Sequence, residues 1–389
     1  MLRRITVGIP VYNGTQYVAA ALKCLQEQTF RDFEVIISVD GNDQATADAC
    51  RPFLIDERFR MIIHPERLDW FGNFNWLLQQ PLSEFFCYRQ HDDTTAPEFF
   101  EVLLRAADAR PDAAAVYTDC QWMGGRTDIE IAPSIEGDTL DRLRQHIEQK
   151  HPVAVRGLIR REAIEQAGPI RADEFRALSE IFVWLAKVLR WGSFIRVPEA
   201  LYCRLDHPEN YHKQWFDWPE ERKRGSWTTL FTGLLEATMP VCATPEERLF
   251  FQQFILDRIV VVRAGQSYHY IPKSAQASGE LISECIERLT REGNMHLLGI
   301  GELPAILQAR ARAEALRSEN AKLEAAKAEF ESKTREEIVA LRAARVKAEA
   351  VAEAAKAESA ALRASNSWRI TAPLRYVAKQ LRGNGTQSF

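Results

Sequence analysis

The stretch Phe85-Phe-Cys-Tyr-Arg-Gln-His-Asp-Asp-Thr-Thr-Ala-Pro97 guides the interpretation of the whole chain. Its apolar beginning has the length of a buried strand, and Pro97 opens a segment with the apolar spacing of a helix. The adjacent carboxylates Asp92 and Asp93 therefore follow the carboxyl end of a strand. Ligands bind at this edge of an open α/β sheet, and paired carboxylates there suit Mg²⁺ or Mn²⁺. An acidic turn that caps the next helix explains the same two residues equally well.

The segments on either side repeat a strand-then-helix pattern. Strands are predicted at residues 5–9, 33–39, 59–63, 85–90 and 113–117, and farther along at 153–159, 194–197 and 200–204. Helices are predicted from Thr15, over 45–51, 73–78 and 161–167, and between Ala177 and Gly192. This order favours an α/β fold with a mostly parallel sheet and helices on both faces.

Polar residues follow three of these strands. Tyr12 comes after the first strand, Asp40 after the second, and Asp92 and Asp93 after the fourth. Because parallel strands end at the same edge of a sheet, these side chains are expected to converge. Asp40 can accept a hydrogen bond from a base N–H or a ribose hydroxyl, Tyr12 offers a flat face to a base, and the two later acids can hold a bridging cation.

Three segments taken together resemble family 2 nucleotide-sugar glycosyltransferases, which have the GT-A fold, over residues 5 to about 210. They are I-T-V-G-I-P-V-Y-N from Ile5, Q-T-F-R-D-F-E-V-I-I-S-V-D-G-N-D from Gln28, and Q-H-D-D-T-T-A-P from Gln90. The resemblance implies that Asp92 and Asp93 bind Mg²⁺ or Mn²⁺. It also implies donor contacts from Pro10, Tyr12, Asn13, Asp40, Gln90, Asp92, Arg204 and His207.

The sequence departs from the family pattern at two positions. Gln90 stands where the first aspartate of an Asp-x-Asp motif often lies, and a neutral amide is a poor ligand for Mg²⁺. In the resembled family a Glu-Asp pair opens a late helix and its second acid is the general base, whereas this chain has Ser179-Glu180. The resemblance assigns the base role to Glu180. An acidic residue that interacts favourably with the helix N-terminus is the structural alternative.

Beyond a catalytic domain at residues 1–215, three further segments are predicted. Residues 216–303 carry amphipathic helical patterns, and residues 304–366 are rich in Ala, Glu and Lys with apolar residues at heptad spacing, such as Leu316, Leu323 and Phe330. The heptads predict a coiled coil and a homo-oligomer, with a single solvated helix as the alternative. The tail, 367–389, predicts a basic amphipathic helix that fits an anionic membrane surface or a partner protein, and it resembles the S-W-R-x-T-x-P-L-R ending of some bacterial cell-surface glycosyltransferases.

Composition narrows the class of protein. A net charge of -4 gives no global reason to expect nucleic acid binding, and seven cysteines without a C-x-x-C pair are typical of reduced, buried thiols. The N-terminus lacks the pattern of a signal peptide, and no apolar run reaches the length of a membrane span. These features predict a cytoplasmic protein, with the tail favouring peripheral contact with the inner face of the cell membrane.

The leading functional prediction is an inverting glycosyltransferase. It would move a sugar from a nucleotide-diphosphate sugar to a hydroxyl of a cell-surface glycan or lipid-linked acceptor, with Glu180 as the base. A scaffold that binds nucleotide sugars without turnover, and works through its coiled coil, is the alternative that Gln90 and Ser179 keep open.

Overall fold

The computed structural model describes residues 3–149, 152–171, 174–175, 179–210, 213, 217–260, 275–297, 303–364 and 375. Its strands are β1 (Ile5–Val11), β2 (Phe33–Val39), β3 (Phe59–Ile63), β4 (Phe85–Tyr88), β5 (Thr94–Thr95), β6 (Ala113–Gly124), β7 (Ile129–Glu130), β8 (Leu158–Arg160) and β9 (Ser193–Asp206). Its α-helices are α1 (Val18–Gln26), α2 (Gln44–Cys50), α3 (Asp69–Leu78), α4 (Phe99–Ala109), α5 (Thr139–Gln149), α6 (Arg161–Ala167), α7 (Ser179–Leu189), α8 (Glu220–Thr238), α9 (Pro245–Val260), α10 (Ala275–Arg291) and α11 (Leu303–Ala364).

The strands form one sheet in the order β3-β2-β1-β4-β8-β6-β9-β5, with β7 paired to β6. The first four strands in this order are parallel to one another, which confirms the predicted α/β arrangement on that side. Strand β8 runs antiparallel to both β4 and β6, and β5 runs antiparallel to β9. The sheet is therefore mixed, and the prediction of a mostly parallel sheet holds for the half that contains the first four strands.

The parallel strands are almost continuously apolar because helices cover both faces of the sheet. Val7, Ile9, Ile37 and Phe86 have no solvent exposure. Gly8 makes this packing possible, since a Cβ at that position would lie 2.8 Å from the Phe86 ring. The buried strands hold the loops at their carboxyl ends in fixed positions.

Three of the predicted strands differ from the structure. Residues 153–159 form a 3-10 turn, Val153–Arg156, and only Leu158–Arg160 pairs in the sheet. A short buried apolar run gives the same sequence pattern in either conformation, so the pattern could not distinguish them. The pieces predicted at 194–197 and 200–204 belong to the single strand β9, whose pairing is irregular opposite Thr118 to Cys120.

Helices α8, α9 and α10 pack on the sheet domain through a second apolar core. This core also contains side chains of α5 and α7, and its members include Leu143, Val183, Ala186, Trp227, Leu234, Leu235, Phe251, Ile255, Cys285 and Leu289. Residues 1–317 form one compact unit and residues 318–389 a second. The domain boundary predicted at residue 216 therefore falls inside the first unit.

Helix α11 is 62 residues long and extends into the second unit. Leu323, Phe330 and Leu341 on this helix are 60%, 71% and 69% exposed. A coiled coil would cover them with a partner chain, and it stays a prediction. The predicted tail helix lies outside the described residues except for Arg375. None of the helices described here combines the length and apolar character needed to cross a membrane.

Candidate functional site

Three loops meet at the carboxyl ends of β1, β2 and β4. The Asn13 backbone N–H donates to Asp43 over 2.8 Å, and the Gly14 N–H donates to Thr46 over 3.0 Å, so the first loop rests on the second. On its other side Gly14 packs so closely against His91 that a Cβ would lie 2.9 Å from the imidazole. The sheet edge predicted from the strand ends is thus one continuous surface.

Left-handed backbone marks the same edge. Within the described part of the chain, the residues other than glycine with positive φ are Asn13, Asn42 and Asp69, at 51°, 54° and 59°. Asn13 and Asn42 lie in the loops after β1 and β2, and Asp69 begins α3 beside Asp40. Such conformations are uncommon, and they persist where the surrounding structure fixes them, often at binding sites.

Asp40, Tyr12 and Arg67 form the first cluster at this edge. The guanidinium of Arg67 lies 3.2 Å from the centroid of the Tyr12 ring, and its Nε is 3.1 Å from Asp40. Asp40 also accepts a hydrogen bond from the Leu68 N–H over 2.6 Å. Asp40 is buried, whereas Tyr12 is 42% exposed. The cluster therefore presents flat, partly exposed groups above a buried carboxylate.

Arg67 was missed by the sequence analysis. It lies in the loop after β3, a strand end that the analysis did not include among the converging polar positions. If the polar residues after every parallel strand, including β3, had been considered, Arg67 would have been identified as a candidate. Pro10, by contrast, lies within β1 and pairs with Ser38 of β2. It belongs to the strand that leads to Tyr12.

Asp92 and His207 form the second cluster. Asp92 Oδ2 is 3.0 Å from His207 Nε2, and the Asn210 side-chain amide donates to the same oxygen over 3.3 Å. The Tyr17 ring packs on the imidazole with 4.4 Å between ring centroids. The five-residue step from Tyr12 to Tyr17 separates their Cα atoms by at most about 18 Å. The loop from Tyr12 to Tyr17 thus contacts both clusters. A single nucleotide-sugar molecule can bridge a separation of this size.

The next residue, Asp93, is buried and has different partners. Its Oδ2 accepts from the Tyr202 hydroxyl over 2.8 Å and its Oδ1 from the Leu205 N–H over 3.0 Å. Burial, with a smaller contribution from neighbouring Asp92, raises the pKa of Asp93 above its ordinary value. The Tyr202 hydroxyl also lies 2.9 Å from the side-chain oxygen of Gln90. Asp93 therefore joins the β4 end to β9, and the metal-ligand role assigned to it from sequence stays a prediction.

We expect Asp93→Asn to lower the free energy of unfolding by about 1–3 kcal/mol, because its single amide oxygen can accept from only one of the Tyr202 hydroxyl and the Leu205 N–H, and its NH2 group then faces the other donor. Asp92→Asn, which leaves an oxygen facing His207, should cost less than about 1 kcal/mol. Urea denaturation of both variants measures the difference. If the two variants were equally stable and only Asp93→Asn lost the effect of Mn²⁺ on donor binding, the predicted role of Asp93 as a metal ligand would be supported.

Buried arginines surround this carboxylate. Arg89 donates to the Asp93 carbonyl over 3.1 Å and lies 4.6 Å from the Tyr202 ring centroid, and Arg156 Nε is 3.8 Å from Asp93 Oδ2. The sequence analysis missed both. Their positive charge offsets part of the cost of burying the acid.

Arg204 lies in β9. It forms an ion pair with Glu130 and lies 3.8 Å from the Trp122 ring centroid. Burial lowers the pKa of Arg204 below its ordinary value. The predicted donor contact from this residue stays a prediction.

Glu180 lies in the first turn of α7, as predicted, and its side chain has 0% exposure. Its Oε2 is 3.5 Å from Arg171 Nε. Among the described residues, no group of three or more His, Cys, Asp or Glu side chains is arranged to hold a metal ion.

Several known proteins are similar in sequence to this chain. Residues 6–168 match the family model described as Glycosyl transferase family 2. A "Putative glycosyltransferase EpsH" of Bacillus subtilis is 27% identical over 233 residues, which cover 55% of this chain and 65% of that protein. An "Uncharacterized glycosyltransferase" of Haemophilus influenzae is 20% identical over 209 residues, which cover 51% and 64%. The matches thus span just under two thirds of these relatives.

The fold is shared with a solved structure. The S. aureus protein TarS, residues 1–349 in complex with UDP-GlcNAc, has a TM-score of 0.57 at 15% identity, covering 81% of this chain and 92% of that one. Its UDP complex gives a TM-score of 0.52 at 16% identity. Residues 6–168 are therefore similar to family 2 glycosyltransferases in sequence, within the wider range of the predicted resemblance, and the fold is similar to that of TarS.

Proposed function

We propose that this chain is a glycosyltransferase that moves a sugar, with inversion, from a nucleotide-diphosphate sugar to a hydroxyl of a surface glycan or lipid-linked acceptor. The observation that carries the proposal is the pair of clusters contacted by one loop, Tyr12 with Asp40 and Tyr17 with His207 and Asp92. The family 2 match covers these residues except His207. Cytoplasmic location, with peripheral membrane contact through the tail, and oligomerisation through α11 remain parts of the proposal.

The first cluster would bind the nucleoside. Asp40 can accept from a base N–H, and the planar groups of Tyr12 and Arg67 can stack on the base. In this structure Arg67 occupies the face of Tyr12, so the base would either displace the guanidinium or stack beyond it. Asn13 and Gln90, on the adjoining loops, would contact the ribose and diphosphate. TarS was solved with UDP and UDP-GlcNAc, which makes uridine nucleotides the first donors to test.

The second cluster fits a divalent cation. Asp92 and His207 offer an oxygen and a nitrogen ligand from two strand ends, and Mg²⁺ or Mn²⁺ sites often use few protein ligands together with substrate phosphates. Such a cation would offset the charge that develops on the diphosphate leaving group. Tyr17 and Asn210 fix the orientation of the imidazole and the carboxylate.

Glu180 is proposed as the base that takes the proton from the acceptor hydroxyl. A general base must come within hydrogen-bond reach of that hydroxyl. Since the Glu180 side chain has 0% exposure, the proposal requires that acceptor binding opens access to it. The burial of Glu180 would also favour transfer over hydrolysis, because it keeps water away from the base until the acceptor binds.

The same burial favours a second candidate function. If the Glu180 and Arg171 pair serves only to stabilise the fold, the domain would bind nucleotide sugars without turning them over. Such a scaffold would act through helix α11, whose apolar residues are exposed. Donor turnover separates the two functions.

The test uses the purified full-length chain. A panel of uridine, guanosine and thymidine diphosphate sugars is screened for thermal stabilisation with and without Mn²⁺, since a ligand that binds the folded state raises its melting temperature. The stabilising donor is then assayed for release of nucleoside diphosphate. We expect one donor class to stabilise the chain and to be turned over. Stabilisation without turnover, in the presence of candidate acceptors, would favour the scaffold.

A further inference from the structure

Arg171 connects the proposed base to the helical layer that follows the sheet domain. Its Nε lies 3.5 Å from Glu180, its Nη1 donates to Glu236 over 2.9 Å, and its Nη2 donates to the Thr229 carbonyl over 3.0 Å. Glu236 and Thr229 both belong to α8. A single guanidinium thus joins the first turn of α7 to two points, about two turns apart, on a helix of the following layer.

The position of α8 against α7 is set by close apolar packing. A Cβ at Gly233 would lie 2.9 Å from Val183 of α7 and 3.3 Å from Arg171 Nη2, so the helices approach as closely as a glycine allows. Val183 and Ala186 of α7 share one buried core with Trp227 and Leu234 of α8. The acceptors that hold Arg171 are therefore fixed relative to the helix that carries Glu180.

A buried carboxylate is costly unless a positive charge compensates it, and Arg171 supplies such a charge to Glu180. A guanidinium is planar and presents its donors in a rigid fork, so its anchors determine where it can place its charge. Because two of its three nitrogens, Nη1 and Nη2, donate to α8, the third, Nε, faces Glu180 from a fixed direction.

We propose that Arg171 and Glu236 are positioning residues for the transfer reaction. Arg171 holds the Glu180 carboxylate in place, and Glu236 holds Arg171 so that the guanidinium compensates the base without closing on it. This inference rests on the proposed function of Glu180. It gives helix α8, part of the segment 216–303 for which the sequence predicted only amphipathic helices, a role in the active site.

The variant that isolates this role is Glu236→Gln, which keeps a side-chain acceptor and removes the charge. Glu180 would then be the only one of these two carboxylates whose charge attracts Arg171, so the guanidinium would bind Glu180 more tightly. A carboxylate held in a tighter ion pair is a poorer base. We expect kcat to fall about 10-fold while the KM for the donor changes less than about 2-fold, since only the chemical step uses the base. Arg171→Lys, which keeps the charge but loses the fork, should lower kcat by about 10- to 100-fold.

Glu284→Gln is the matched control. Glu284 of α10 accepts from Arg224 of α8 over 2.6 Å, so it also belongs to an inter-helix ion pair of this layer, and it has no described contact with Glu180 or Arg171. The measurements are kcat and donor KM for release of nucleoside diphosphate from the donor selected by the thermal screen, together with the melting temperature of each full-length variant. Glu284→Gln should lower the melting temperature about as much as Glu236→Gln and should keep wild-type kcat.

The outcomes separate this inference from the proposed function. A lower kcat for Glu236→Gln, together with a wild-type kcat for Glu284→Gln, supports the positioning role. If Glu180→Gln is inactive but Glu236→Gln and Glu284→Gln have the same kcat, the positioning role is wrong and the base assignment stands. If Glu180→Gln turns over donor and acceptor like the wild type, or the wild type turns over no donor, the proposed function fails and this inference fails with it.

Discussion

Glu180→Gln should reduce sugar transfer by about 10²- to 10⁴-fold, the usual contribution of a general base. Glutamine has nearly the same shape as glutamate but cannot take up the acceptor proton. Donor affinity should remain close to that of the wild type, because the donor contacts are proposed to come from the loops after β1, β2, β3, β4 and β9 and not from α7. The measurement is transfer to acceptor under single-turnover conditions, with donor Kd from calorimetry.

Folding must be checked in the same experiment, because the substitution also removes the charge that faces Arg171 over 3.5 Å. Transfer is therefore compared at a temperature at which both proteins remain folded by circular dichroism. Wild-type transfer rates in Glu180→Gln would exclude the base assignment. A loss of transfer that is accompanied by an equal loss of donor binding would instead point to a misfolded site.

The second large effect is expected at Asp92. Asp92→Asn should weaken donor binding in the presence of Mn²⁺ by at least about 10-fold, because it replaces a charged oxygen ligand by a neutral amide at the position that faces His207. Without metal, wild type and variant should bind the donor almost equally. Donor Kd measured with and without Mn²⁺ gives both values.

Asp93→Asn provides the neighbouring control. Asp93 is buried, and its two oxygens accept hydrogen bonds from Tyr202 and Leu205. The Mn²⁺ response of Asp93→Asn should therefore stay close to that of the wild type at a temperature where it is folded. An Asp92→Asn protein with an undiminished Mn²⁺ response would remove Asp92 from the metal site and leave the donor to bind through Tyr12, Asp40 and Arg67.

Much of the fold was accessible from local sequence because its strands are buried on both faces and their apolar runs are unambiguous. Strands β2 and β3 have the predicted limits, and α6 ends as predicted at Gly168, where φ is 70°. The turn at 153–156 was mistaken for a strand because burial, rather than backbone conformation, determined its composition. Pairing partners of β8 and β9 depend on contacts far along the chain, so the mixed half of the sheet was not predicted.

By itself the sequence determined that carboxylates and aromatic residues gather at one sheet edge, because parallel strands must end together. It could not decide that Asp92 and Asp93 have different partners, since both lie in the turn after β4 and their contacts are made with distant parts of the chain. That difference depends on Tyr202 and Leu205, which follow Asp93 by 109 and 112 residues and take its two oxygens. The contacts of Arg67 with Asp40 and of Arg171 with Glu180 likewise arise only in the tertiary structure, because charged residues in loops carry no periodic signal and find their partners through the packing of the elements around them.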